Sequence, residues 1–209
     1  MKTNIIPVLY FAAGTRSSRP CWLLEECGVP YDLEKVELRK GEHKREAYLA
    51  MNPLGKVPAL KEADQIITET LGICLHIADR YGAKRLAPEI TDTNRGAYYR
   101  WMAFSVGSLE AALLEEVRRK TAEENGEDFA PMSRQLSSFE SVVKLIENML
   151  STSDYLLGDD FSAADVLNGS GMFWARSLGL LEGYEHVWGW LQRLEARPAY
   201  NRMLQISQA

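Results

Sequence analysis

A proline inside an apolar run is the first feature of this chain that could do chemistry. Pro58 interrupts the extended run 57–60, where a central strand would lose one ladder hydrogen bond. An X-Pro bond in such a place is a candidate for the rare cis state, which serves tight local geometry. If the turn faces outward, the backbone N–H and C=O of Val57 would pair with an extended peptide, as in strand addition.

A carboxylate and a hydroxyl follow about ten residues later. Glu69 and Thr70 stand where a helix is predicted to begin. The first amides and the dipole of a helix favour a ligand carboxylate, and Glu69 would in turn bind a ligand ammonium. The alternative is that Thr68 only caps the helix and Pro58 only ends a strand. Spacing alone leaves both interpretations open.

The elements that must position these residues are predicted from periodicity and from turn residues. Apolar alternation predicts strands, and apolar residues three and four positions apart predict helices. Gly28 is placed to end the first helix. The order βαβαββα, one mixed sheet covered by helices, is predicted from a strand at 8–11, a helix at 18–27, a strand at 31–38, a helix at 42–51, a hairpin at 57–60 and 65–67, and a helix at 70–81.

Strand signals disappear after residue 88, and the rest of the chain reads as an all-helical bundle. The predicted domains are therefore 1–85, mixed α/β, and 91–209, all-α. Pro198 stands near the start of the last helix, where its missing N–H costs little. The helices of this second domain are predicted at 91–125, 129–150, 163–178, 184–196 and 199–206.

One signal in the helical half is local and specific. Ser162 and Asp165 have the spacing of a capping box, in which Ser162 is the N-cap and Asp165 reaches back to it. A catalytic role for Asp165 is the alternative, but a structural cap accounts for every residue of this segment.

Composition limits the classes of function. The chain has 209 residues and a net charge of −5. This negative charge argues against broad nucleic-acid binding, which needs a basic face. The apolar run at the N-terminus is too short for a membrane span or a signal peptide. Three cysteines without a CxxC pair indicate reduced thiols in a cytoplasmic protein. The chain has only three histidines, which are widely separated in sequence, so we do not predict a metal site.

Three segments together resemble the cytosolic glutathione S-transferase family. They are residues 52–60 with Glu69-Thr70, the run 15–31 with its Trp-Leu-Leu-Glu-Glu helix, and the box at 157–165. The run 15–31 is most similar to a microbial branch with a serine- and arginine-rich turn. The resemblance implies a thioredoxin-like N-terminal domain and an all-helical C-terminal domain. It also implies a homodimer with glutathione as co-substrate and no metal.

The resemblance also implies which residues bind glutathione. Carried over by position, Val57 beside a cis Pro58 would pair with the cysteinyl unit. Glu69 and Thr70 would hold the γ-glutamyl end. The glycyl carboxylate would be neutralised by Lys56 and His43.

The residue that activates the thiol is less clearly marked. A hydroxyl at a helix N-terminus can stabilise a thiolate by hydrogen bonding. Ser17 matches the position where serine-type members carry that hydroxyl, and Ser18 and Thr15 are close enough to compete. Tyr10 aligns with the tyrosine of tyrosine-type members. The expected order is Ser17 first and Tyr10 second.

Two functions follow from the resemblance. The first is an enzyme that adds glutathione thiolate to small hydrophobic electrophiles, or uses it to reduce peroxides. The second is a non-catalytic module of the same fold that binds partner proteins. Retention of His43, Lys56, Glu69 and Thr70 favours the enzyme, because a binding module has no need to hold the ends of a peptide.

Overall fold

A computed structural model of the chain describes residues 6–83, 85–133 and 136–208. The described residues pack as two compact units, one made of residues up to 87 together with those from 196 onward, and the other of residues 88–195. Residues 1–5, 84, 134–135 and 209, which belong to the predicted domains, lie outside the described residues. No helix within the described ranges is long and apolar enough to cross a membrane.

The first unit holds a four-stranded mixed sheet in the order β2-β1-β3-β4. β1 and β2 run parallel, and β3 is antiparallel to both β1 and β4. The predicted order βαβαββα is confirmed. Its elements are β1 (Val8–Phe11), α1 (Ser18–Cys27), β2 (Asp32–Lys35), α2 (Glu46–Met51), β3 (Ala59–Glu62), β4 (Gln65–Ile67) and α3 (Thr70–Tyr81).

The last helix of the chain, α9 (Pro198–Gln208), packs on α1 within this first unit. The rings of Trp22 and Tyr200 meet edge to face, with their centroids 4.8 Å apart. Arg197 binds the carboxylate of Glu26 through two nitrogens, at 2.7 and 2.9 Å. A helix distant in sequence thus becomes part of the unit that carries the candidate site.

The second unit is helical throughout its regular elements, as predicted. A π-helical turn, Ser105–Leu109, joins the first two of its helices. The helices are α4 (Arg95–Phe104), α5 (Glu110–Asn125), α6 (Phe139–Leu150), α7 (Ala163–Ser177) and α8 (Glu185–Glu195).

Some predicted boundaries were wrong for local reasons. The strand expected at 31–38 ends at Lys35, and a 3₁₀ turn, Leu38–Lys40, follows it and ends at Gly41 with φ 69°. The helix expected from residue 129 begins at Phe139, because Ser138 is its N-cap and accepts a bond from the Ser141 N–H at 3.2 Å.

The capping box at the start of α7 is confirmed. Ser162 Oγ accepts a hydrogen bond from the Ala164 N–H at 3.2 Å, and the Ser162 N–H donates to Asp165 at 2.9 Å. Asp165 is fully buried and also accepts from the Leu156 N–H and from Trp190 Nε1–H, at 2.9 and 3.1 Å. The carboxylate therefore ties the start of α7 to the preceding loop and to α8.

Candidate functional site

The turn before β3 presents a free stretch of backbone. The Val57–Pro58 peptide bond is cis. Neither the N–H nor the C=O of Val57 forms a hydrogen bond within the described part of the chain. Behind the turn, the Tyr48 hydroxyl and the Asn52 side-chain amide both donate to the carbonyl of Lys56, each at 2.8 Å. These two hydrogen bonds hold the turn through the Lys56 carbonyl, which leaves the backbone of Val57 available for a ligand.

The first backbone amides of α3 are likewise available for a ligand. Its N-cap residue is Glu69 rather than Thr68, and no side chain caps the first amides. Glu69 is exposed and has φ 65°, a left-handed conformation that a glutamate rarely adopts and that costs about 1–3 kcal/mol. Thr70 is nearly buried, and its hydroxyl has no hydrogen-bond partner among the described residues. The interpretation of Thr68 as a simple cap therefore does not hold.

The sheet brings these two features to one edge. Leu60 pairs with Ile67 in the antiparallel ladder, so that Pro58 and Glu69 are the residues two positions beyond this pair on each strand. Ala59 pairs with Tyr10, near the end of β1. The cis-proline turn, the start of α3 and the loop after β1 consequently share one end of the sheet.

The structure also brings together the two segments that carry the predicted basic residues. The loop before Lys56 passes so close to the turn of His43 that a Cβ atom on Gly55 would lie 2.7 Å from the His43 carbonyl oxygen. Lys44 Nζ lies 3.3 Å from the carbonyl oxygen of Leu54 and joins the same two segments. His43 Nδ1 is buried without a hydrogen-bond partner in the described residues, and Lys56 is exposed there without an ion pair.

The serine expected to activate a thiol is fully buried in the loop after β1. Its Oγ lies 2.9 Å from Thr15 Oγ1 and 3.4 Å from the Ala12 N–H. Thr15 Oγ1 also lies 2.7 Å from the Ala12 carbonyl, which can only accept, so that the Thr15 proton points there. With that proton engaged, Ser17 is the member of the pair that can donate, and Thr15 Oγ1 is its acceptor. The half-buried Thr15 is the accessible end of this hydrogen-bonded pair.

The other two candidate hydroxyls are less well placed. Ser18 Oγ donates to the Thr15 carbonyl at 3.1 Å, within the turn itself. Burial raises the pKa of the Tyr10 phenol above its ordinary value, and the Glu34 carboxylate raises it further. A weaker acid is a weaker hydrogen-bond donor, and the same carboxylate would repel a thiolate beside Tyr10.

The three cysteine thiols remain protonated at neutral pH. Burial raises the pKa of Cys21 to about 11, and raises those of Cys27 and Cys74 to about 12. Within residues 6–83, 85–133 and 136–208, no group of three His, Cys, Asp or Glu side chains is placed to hold a metal ion. A nucleophile at this site would therefore come from the ligand.

Two positioning residues carried no predicted role. Tyr48 and Asn52 fix the carbonyl before Val57. Asn52 stands in the same sequence segment as Pro58, which is the only signal that could have identified it. Tyr48 lies on α2, and no local pattern connects it to that turn.

Two family models match the chain. The glutathione S-transferase N-terminal domain matches residues 6–79, and the glutathione S-transferase C-terminal domain matches residues 114–198. The chain belongs to the glutathione S-transferase family. The first match covers the sheet with the cis-proline turn, and the second covers most of the helices of the second unit.

Curated glutathione S-transferases match over nearly the whole chain. Glutathione S-transferase 4 of Zea mays is 28% identical over 216 residues, which cover 99% of this chain and 95% of the relative. Glutathione S-transferase GstA of Escherichia coli O157:H7 is 28% identical, over 91% of this chain and 93% of the relative. These names support the prediction that the chain is a glutathione S-transferase enzyme.

A solved structure agrees with the fold. A glutathione transferase homologue from Sulfitobacter, solved with bound glutathione, is 26% identical and has a TM-score of 0.76. The alignment covers 98% of this chain and 99% of that chain. The thioredoxin-like N-terminal domain and the helical C-terminal domain of the glutathione S-transferases are thus both present here.

Proposed function

We propose that this glutathione S-transferase binds glutathione along the cis-proline turn and transfers its thiolate to small electrophiles. One observation carries the proposal. The unpartnered backbone of Val57 and the uncapped start of α3, where Glu69 is held at positive φ, lie at one end of the sheet. Such a strained residue beside open backbone is typical of a ligand site.

The three units of glutathione match three groups of residues. The Val57 N–H and C=O would pair with the backbone of the cysteinyl unit. Glu69 would bind the γ-glutamyl ammonium, and the hydroxyl of Thr70 with the first amides of α3 would bind its carboxylate. Lys56 and His43 would bind the glycyl carboxylate, and the close approach of their two segments supports this role.

Thiol activation is assigned to the hydroxyls of Ser17 and Thr15 acting together. A free thiol has a pKa of about 8.5, so that most of it is protonated at neutral pH. A hydrogen bond to the sulfur anion lowers that pKa. Thr15 would give this bond from the accessible end of the pair by turning its proton from the Ala12 carbonyl to the sulfur, while Ser17 holds Thr15 by donating to its oxygen. This keeps the predicted serine-type chemistry and adds a second hydroxyl to it.

The proposed function is tested by a conjugation assay with glutathione and 1-chloro-2,4-dinitrobenzene, a neutral aryl halide. The Glu69→Gln variant is expected to raise the KM for glutathione roughly 10- to 100-fold, because it removes one charge-assisted hydrogen bond. Its kcat should change far less. Asp64→Asn, an exposed carboxylate in the turn of the same hairpin, is the matched control and should leave both constants unchanged.

Absence of turnover by the wild type would contradict the transferase and favour the non-catalytic module. Turnover with an unchanged KM in Glu69→Gln would contradict the assigned glutathione site alone. Oxidation of two glutathiones by a peroxide, run in parallel, measures whether the same thiolate also supports peroxidase activity.

A further inference from the structure

The first unit contains a cavity that none of the proposed glutathione contacts to Val57, Glu69, Thr70, Lys56 or His43 uses. Its volume is about 630 Å³, within the range of sites that take small molecules. Three segments line it: residues 11–15 after β1, residues 35–39 at the end of β2, and residues 206–207 of α9. Since all three belong to the first unit, the cavity is a property of that unit alone.

The cavity has an apolar floor and two cationic side chains. Phe11, Val36, Leu38 and Ile206 supply apolar surface. Phe11 and Val36 are buried and therefore form a fixed surface. An aromatic or aliphatic group could bury its apolar area against this floor.

Lys35 and Arg39 are the cationic residues of the lining. Both are exposed, and neither forms an ion pair or a side-chain hydrogen bond within the described part of the chain. Glu37 is the one carboxylate among the lining residues, so that the charges of the lining sum to +1. The whole chain carries −5, which makes this cationic lining a local reversal of the overall charge.

Thr15 connects the cavity to the thiol. It lines the cavity, and its hydroxyl is the accessible end of the pair that we assign to thiol activation. A molecule in the cavity would therefore lie beside the hydroxyl that we assign to the activated sulfur.

We propose that this cavity takes the second substrate and selects apolar electrophiles that carry an anionic group, such as an aryl halide with a carboxylate or sulfonate. Its role as substrate site rests on the proposed function; its preference for anions does not. In the reaction, the thiolate sulfur bonds to the electrophilic ring carbon and the halide leaves with the bonding electron pair. The thiol proton passes to solvent. Lys35 and Arg39 would determine specificity by binding the anionic group.

The anion preference is tested first by binding, without catalysis. The probes are 8-anilino-1-naphthalenesulfonate and N-phenyl-1-naphthylamine, which share a skeleton and differ by the sulfonate. The double variant Lys35→Gln/Arg39→Gln is expected to weaken binding of the sulfonate roughly 5- to 10-fold and that of the neutral probe less than about 2-fold. Lys61→Gln/Arg85→Gln changes the net charge equally at other exposed positions, and should weaken neither.

The location of binding is tested by Ser207→Trp, which places a large ring in the lining at the end of α9 and should weaken both probes. Equal weakening of both probes in Lys35→Gln/Arg39→Gln, or equal weakening of the sulfonate by the control pair, would overturn the proposal. So would unchanged binding in every variant.

Kinetics then separates this proposal from the proposed function. The substrates are 4-chloro-3,5-dinitrobenzoate and its methyl ester, each corrected for its uncatalysed rate. Lys35→Gln/Arg39→Gln should raise the KM of the acid roughly 5- to 10-fold and leave that of the ester unchanged. If the wild type turns over neither substrate, the transferase function fails, and the binding result still decides the anion preference. If both substrates are turned over and Lys35→Gln/Arg39→Gln changes their KM values equally, the specificity role is contradicted and the transferase function stands.

Discussion

Replacing Ser17 with alanine, or Thr15 with valine, is expected to lower kcat/KM for conjugation at pH 6.5 by roughly 10- to 100-fold. The loss follows from the geometry, because the two oxygens lie 2.9 Å apart and one hydroxyl holds the other in place. Without the pair, the pKa of bound glutathione should rise by roughly one to two units. The pH at which conjugation reaches half of its plateau should rise by the same amount.

A double-mutant cycle distinguishes a pair from two independent donors. Ser17→Ala/Thr15→Val should cost little more than either single change, because groups that act as a unit are strongly non-additive. Thr15→Ser retains the hydroxyl and should recover most of the rate. A loss in Tyr10→Phe that exceeds both single losses would contradict the assignment and identify the phenol as the donor.

Replacing Asp165 with alanine is expected to lower the free energy of unfolding by about 3–5 kcal/mol. The carboxylate is fully buried, and it accepts bonds from the Leu156 N–H, from Ser162 and from Trp190 Nε1–H. The substitution leaves these donors buried without an acceptor and removes the Asp165 half of the capping box of α7. Urea unfolding measures the change, and Asp160→Ala, an exposed residue of the preceding turn, should change it by less than about 0.5 kcal/mol.

The pH dependence of the same residue gives an independent check. Burial raises the pKa of Asp165 from its ordinary value of 3.8 to about 6, although its hydrogen bonds act in the opposite direction. A folded-state pKa above the unfolded one adds stability at low pH, and this contribution is lost as the pH rises through 6. Relative to Asp165→Asn, the wild type should therefore be more stable at pH 5 than at pH 7.5 by about 1 kcal/mol. A difference that does not vary with pH, or that varies in the opposite direction, would contradict the raised pKa.

Local sequence patterns predicted the features of the fold and of the site that depend on neighbouring residues. The capping box of Ser162 and Asp165 needs only two residues three positions apart, and the order of strands and helices follows from periodicity. The cis peptide before Pro58 was a candidate because a proline stood in an apolar run. These features were predictable because each is determined within a few residues of chain.

Features that depend on residues distant in sequence were not predictable. The pairing of Arg197 with Glu26, which helps place α9 on α1, joins residues 171 positions apart. The two lining segments of the cavity at 35–39 and 206–207 meet for the same reason. The burial of Ser17 was equally hidden, because a serine in a polar turn gives no indication that its hydroxyl faces inward.

The central claim, a glutathione site along the cis-proline turn, is tested most directly by calorimetric titration of the wild-type protein with glutathione. We predict one glutathione per chain, with a dissociation constant in the range of roughly 1 μM to 1 mM. Binding should be weakened at least about 10-fold in Glu69→Gln and unchanged in Asp64→Asn. Absence of binding to folded wild-type protein at millimolar glutathione, or equal binding by Glu69→Gln, would contradict the account.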